Sequence, residues 1–163
     1  MELNHKTELY RAIKSMNLAE LSESDKEDLL RLLMQTPNVL LRDRIAFILS
    51  DLHYTRAIPF ILRKINQKDS FNNNGSLVYA LQNFNMTQYF IPLIRIVCDQ
   101  DYEARLSAFS ILQDISQKIP KRTKNKALQI LNNSKAKLLL GDEVKGENST
   151  LHFVEQLIKV LVT

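Results

Sequence analysis

The sequence predicts an all-α fold, a short right-handed α-solenoid of about four helical hairpins, and three observations predict it. A helical pattern returns at a nearly constant interval. Leu49, Leu81 and Leu112 fall in register, as do Leu52, Phe84 and Ile115, at steps of 32 and 31 residues. That interval is the length of one helical hairpin, a unit that cannot bury its apolar face alone and so stacks on its neighbours. Finally, the 163 residues include only three glycines and four prolines. Leu, Ile, Lys, Asn and Gln abound instead, which favours helix over strands joined by tight turns.

The elements follow in order. An amphipathic helix covers about 5–18, with Leu9, Ile13, Met16 and Leu18 on its apolar side. Ser24-Asp25-Lys26-Glu27 reads as a capping box, Ser24 capping and Glu27 reaching back, ahead of Leu29, Leu30, Leu32, Leu33 and Met34. Pro37 and Asn38 break that helix. The next, about 39–52, sets Leu41, Ile45, Ile48, Leu49 and Leu52 on one face. Thr55 caps a helix over 56–67 that carries Ile58, Ile61, Leu62 and Ile65. A turn over 69–75 leads to a helix over 75–84, and Asn85-Met86-Thr87 to another over 88–98. Asp99-Gln100-Asp101 is a tight connector that caps 102–117, and Pro120 opens a helix to about 132. Residues 134–140 are helical in propensity, 141–149 read as a mobile loop, and a last helix over 150–162 carries Leu151, Val154, Leu157, Ile158 and Leu161.

The segment 91–115 resembles a HEAT repeat. Pro92 stands early in the first helix, Asp99 and Asp101 in an acidic turn, and Arg105 opens the second helix. Ala108, Leu112 and Ile115 follow at helical spacing. The copy before it keeps Pro59 but has Asn74 in the arginine position, and the one before that keeps Arg42 and Ala46. The resemblance implies one domain over 1–163, with a capping helix over 1–20, three recognisable repeats over 24–117 and an irregular cap over 118–163. It is nearly silent on function, because such arrays bind proteins, nucleic acids and small cofactors alike.

Motifs of catalysis are missing from the sequence. His5, His53 and His152 lie far apart, and there is no paired-histidine metal motif, no glycine-rich phosphate loop and no nucleophile elbow. The reading is of no catalytic residue, no cofactor and no metal. His53 closes a helix, where its ring suits the negative end of the dipole. The one cysteine, Cys98, sits in an apolar run and reads as a small buried hydrophobe. The carboxylates Asp99 and Asp101 belong to the repeat turn, and Asp142 and Glu143 to a solvated loop. The first residues lack the layout of a signal peptide, and no apolar run reaches about 20 residues, so a cytoplasmic protein without a membrane partner is expected.

The net charge of +4 is unevenly spread. Residues 118–137 hold Lys118, Lys121, Arg122, Lys124, Lys126, Lys135 and Lys137 with no acid, whereas 70–94 carry no charge at all. Interface centres are poor in charge and rich in aromatics. With Leu77, Val78, Leu81 and Phe84 turned to the core, Ser76, Tyr79, Gln82 and Asn83 point away. The same register exposes Arg44, Phe47, Ser50 and Asp51 on the preceding repeat, and Ser107, Ser110, Gln113 and Asp114 on the following one. In HEAT stacks such helices line the concave side, so the resemblance implies a recognition strip for another protein, with Phe47 and Tyr79 at its middle. The competing reading packs those two rings between repeats.

A small HEAT-like chain rich in Asn, Lys and Ile resembles bacterial immunity proteins of contact-dependent inhibition systems. That resemblance implies a partner that is a toxin domain, a nuclease among the candidates. Two alternatives stand beside it. One is nucleic-acid binding through bases in 42–64 and 118–137, led by Arg42, Arg44, Lys121, Arg122, Lys124 and Lys126, although no aromatic interleaves the second segment. The other is a HEAT-like lyase or glycosylase, which needs a deep pocket holding a perturbed acid.

Overall fold

Ser22, rather than Ser24, starts the first complete helix. Its hydroxyl accepts from Asp25 N–H at 3.2 Å while Asp25 Oδ2 accepts from Ser22 N–H at 2.8 Å, so the capping box lies two residues earlier than the sequence reading placed it. Glu27, freed from that role, accepts from Tyr54 Oη at 2.8 Å and pairs with Arg56 at 2.6 Å. The computed structural model describes Arg11, Ile13, Ser15, residues 17–141 and residues 146–162. Most of the helix expected over 5–18, and residues 142–145 of the expected loop, lie outside them; Arg11 and Ile13 are helical, and Ile13 is buried.

Among the described residues there are eight α-helices and no strand. They are α1 (Glu23–Gln35), α2 (Val39–Asp51), α3 (Ile58–Ile65), α4 (Gly75–Ala80), α5 (Phe90–Asp99), α6 (Tyr102–Ile115), α7 (Lys121–Leu140) and α8 (Thr150–Val162). Asn38 and Asp101 cap α2 and α6 through their side chains, as residues with a short acceptor do. Thr55 does not cap α3: residues Thr55–Ala57 form a 3-10 turn, and α3 starts at Ile58 with Pro59 in its first turn. The helix from 121 runs unbroken to Leu140 instead of stopping near 132, because Asn132-Asn133-Ser134 holds neither glycine nor proline and Lys135 is anchored to Glu155 at 2.9 Å.

The helix expected over 75–84 changes at Ala80 into the 3-10 turn Leu81–Asn83. Ser50 Oγ donates to Ala80 O at 2.6 Å, and Phe84 N–H closes on Leu81 O at 3.1 Å. A hydroxyl from α2 thus takes the carbonyl that would have continued the α-helical ladder, and a side chain inserted there shortens a helix.

The principal contacts join helices one or two places apart in the chain. α1 packs on α2 and α3, α4 on α2, α3 and α6, α5 on α6 and α7, and α8 on α6 and α7; α5 with α8 is the longer reach. The in-register leucines Leu49, Leu81 and Leu112 are all fully buried, so the recurrence marks the core. A second recurrence is polar. Arg42, Asn74 and Arg105, in register at 32 and 31 residues, are all buried. Arg42 donates to Asp43 Oδ1 at 2.7 Å, to Ser70 Oγ at 3.3 Å and to Asn73 O. Asn74 Nδ2 donates to Ile65 O at 3.3 Å and Gln100 Oε1 at 2.5 Å; Arg105 reaches Val97 O at 3.2 Å, Gln100 O at 2.8 Å and Asn148 O at 3.3 Å. Each member ties the start of one helix to a neighbouring turn or helix end, satisfying carbonyls at Asn73, at Ile65, and at Val97, Gln100 and Asn148.

Lys64 is buried as well, with its ammonium on Asp69 at 2.7 Å and on Met34 O at 3.3 Å. That hydrogen bond from Lys64 holds the Asp69 carboxyl below the ordinary carboxylate range. A carboxyl lowered on folding stabilises above its unfolded value, about 3.9, and the gain is lost as pH falls through the folded value. Asp69→Asn is therefore expected to lower the urea midpoint at pH 7, because it strands a buried ammonium, with the deficit against wild type shrinking below about pH 4. A deficit that is independent of pH would reject this pairing as the cause.

Candidate functional site

α2, α4 and α6 lie side by side, and the side chains that they turn away from the core form the candidate surface. At its centre the Phe47 and Tyr79 rings meet edge to face, 6.2 Å between centroids at 75°. Phe47 is half-buried, as the reading that packs it between repeats requires, while Tyr79 remains 57% exposed. An edge-to-face pair holds such a ring in place without covering it. Beside it opens a shallow depression of about 270 Å³, and the sequence-predicted Phe47, Ser76, Tyr79 and Ser107 all line it.

Gly75 sets the depth of this depression. A Cβ there would stand 2.7 Å from Glu103 Cβ, so its absence lets the start of α4 lie directly against α6. The close approach carries two residues to the rim that the sequence reading missed, Glu103 and Leu106, the latter 45% exposed.

Ser50 does not belong to an outward strip. It is buried, donating to Ala80 O and accepting from Asn83 Nδ2 at 3.0 Å. Asn83 is exposed but tied into the same bridge, and its carbonyl lies 3.1 Å from His53 Nδ1. His53 takes a left-handed φ of 48° after α2, where its N–H closes on Ser50 O at 2.9 Å and Tyr54 N–H on Leu49 O at 3.0 Å. These residues join the ends of α2 and α4. Asp51, Gln82, Ser110, Gln113 and Asp114 are exposed, towards the far ends of the helices from the depression. Arg44 is half-buried, and its Nε is buried without an acceptor.

A second set of residues escaped the sequence reading. Leu40, Phe71 and Tyr102 are 69%, 59% and 41% exposed, and they recur at 31 residues. Leu40 and Tyr102 stand in the first turns of α2 and α6, and Phe71 on the turn before α4 that the Arg42–Asn73 hydrogen bond holds. The steps of 31 and 31 put Leu40 one residue out of the core register of 32 and 31, so the period alone does not gather this row, and reading it as surface requires knowing where each helix starts.

Comparisons against protein-family models, curated proteins and solved structures found no match to this chain.

The chemistry of the remaining groups is plain. Burial pushes the half-buried Cys98 thiol up, against an opposing hydrogen bond with Ser134, which makes it a poor nucleophile near neutral pH. The acids with displaced carboxyls, Glu23, Asp25, Asp69 and Glu155, are all held low, by hydrogen bonds with Lys26, Ser22, Lys64 and Lys135 respectively. None of these four lines the depression at Tyr79. Of the bases proposed for nucleic acid in 42–64, Arg42 and Lys64 are withdrawn from the surface altogether, because each is spent on buried carbonyls and a carboxylate. Lys121, Arg122 and Lys126 on α7 are exposed and Lys124 is half-buried. Among the described residues no helix is long and apolar enough to cross a membrane.

Proposed function

We propose that the chain is a non-enzymatic protein-binding module, built as a short right-handed HEAT-like solenoid, whose partner docks on the surface around Tyr79. The neighbour pattern of the helices and the buried ladder Arg42–Asn74–Arg105 support the solenoid reading. The observation that carries the function is the exposed Tyr79, propped by Phe47 beside exposed Leu106, in a part of the sequence free of charge. Aromatic anchors at a desolvatable centre are what protein interfaces select, and here Ser76, Ser107 and the carboxylate of Glu103 surround that centre. Exposed Leu40, Phe71 and Tyr102 extend the apolar edge and enlarge the area available to a partner.

The partner in this reading is a toxin domain, with the chain acting as its immunity protein in a bacterial cytoplasm. The net charge of +4 argues against mimicry of a nucleic-acid substrate, so recognition falls to the neutral strip rather than to an acidic face. The test is to look beside this gene for one that encodes a toxin-like C-terminal domain and to co-express the two; the absence of such a neighbour would count against the immunity role. Wild type is expected to restore growth and form a stable complex. Tyr79→Ala is expected to weaken that complex about 10-fold or more. Because the ring is largely exposed, the melting temperature should move by less than about 3 °C. Growth arrest that persists with the wild-type chain present would sink the immunity role.

A further inference from the structure

We propose that α3, α5 and α7 carry a second docking surface, which takes an extended acidic segment of a protein. Two grooves flank α5. One, about 480 Å³, lies against α3 with Arg63 and Arg95 on its two sides; the other, about 210 Å³, lies against α7 between Arg95 and Lys137. Arg95 therefore stands on the ridge common to both. Farther along the α5–α7 side, Lys118 lines a third depression of about 390 Å³. Arg63, Arg95, Lys118 and Lys137 are all exposed, and among the described residues none forms an ion pair. Among the described residues the only carboxylate lining these three depressions is Asp99, one turn from Arg95. Four cations outside any ion pair, Arg63 among them lying 5.9 Å over the Phe60 ring, against one acid give the face a positive field that favours a carboxylate-bearing partner.

Groove chemistry selects among anions. The α3–α5 groove is floored by Leu62, Ile91, Pro92 and Ile96, and neither groove beside α5 is lined by an aromatic residue. Bases lack a stacking platform there, whereas aliphatic side chains between carboxylates find a matching floor. The spacing agrees. Arg63, Arg95 and Lys137 lie on α3, α5 and α7; of these α5 and α7 pack together, and packed helices sit about 8–10 Å apart. A polyproline-type strand advances about 3.1 Å per residue with three residues per turn, so every third side chain returns to one side after about 9 Å. A segment with a carboxylate at each third position meets the cation row and lays its intervening apolar residues in the grooves.

The test uses the whole chain and a fluorescein-labelled peptide of about 12 residues made of Glu-Leu-Pro triplets, read by fluorescence anisotropy. Saturable binding is expected, weakening as salt is raised. Arg95→Glu should weaken it about 10-fold or more, Lys137→Glu should act in the same direction, and Tyr79→Ala should leave it unchanged. Circular dichroism melts of each variant verify the fold, which these exposed positions should not disturb. No binding by the wild type, equal binding by Arg95→Glu, sensitivity to Tyr79→Ala, or tighter binding of an oligothymidylate of equal length would each overturn the proposal. Because the probe does not involve the Tyr79 surface, its outcome is independent of the immunity reading.

Discussion

Arg42→Ala is expected to lower the unfolding free energy by about 3 kcal/mol, read as a shift of the urea midpoint at unchanged slope. In a chain of this size that corresponds to roughly 6–12 °C in melting temperature. The guanidinium is 2% exposed and serves Asp43, Ser70 and Asn73 at once. Truncation leaves a buried hydroxyl and a loop carbonyl without their donor and opens a hole beneath the turn that precedes α4. Arg42→Lys should recover less than half of the loss, since a single ammonium cannot reproduce a planar fork that reaches three acceptors. Arg44→Ala, two residues along on a half-buried side chain whose Nε has no acceptor, should cost less than about 1 kcal/mol. Equal costs at Arg42 and Arg44 would show that the ladder does not hold the hairpins together.

Gly75→Ala is expected to destabilise by about 1–3 kcal/mol, although alanine is the better helix former. Propensity alone predicts the opposite sign, so the experiment separates the two effects. The new methyl would meet Glu103 Cβ at 2.7 Å and Glu103 Oε2 at 3.0 Å, with Ala104 N at 3.5 Å behind them. The carboxylate end can swing away; the Cβ is fixed to the backbone of α6 and cannot. The starts of α4 and α6 must then separate, and the depression beside Tyr79 widens with them. Glu103→Gly in the same chain should recover part of the loss, a coupling that a double-mutant cycle measures directly. A stabilised Gly75→Ala variant would mean that the two helices are not in contact there.

The helical class and most helix positions were legible because the hydrophobic period and the punctuating residues agreed. Leu49, Leu81 and Leu112 announced the core, and Asn38 and Asp101 announced their caps. Errors arose where a tertiary bond overruled a local signal. The sequence register turns Ser50 outward, yet Ala80 O on α4 captures and buries it, and the same bond shortens the helix expected to reach 84. Arg42 and Lys64 counted as surface charge because a lone base in a sequence carries no sign of the carbonyls that await it some 30 residues away. Ser22 and Ser24 are both followed three residues later by an acid, so local chemistry did not separate the two capping boxes. Of the candidate strip, Tyr79, Phe47, Ser76 and Ser107 are gathered at one depression, whereas Leu106 and Glu103 depended on the close approach at Gly75, a packing fact with no local signature.

In the proposed function, the face of α2, α4 and α6 is a protein-docking surface with Tyr79 as its anchor. This is tested by a calorimetric titration of the chain with a toxin-like C-terminal domain found encoded beside its gene, repeated for Tyr79→Ala and Leu106→Ala. A saturable complex is expected, which each substitution weakens about 10-fold or more while the melting temperature holds. A complex indifferent to both substitutions, or no complex with a folded wild-type chain, would contradict it.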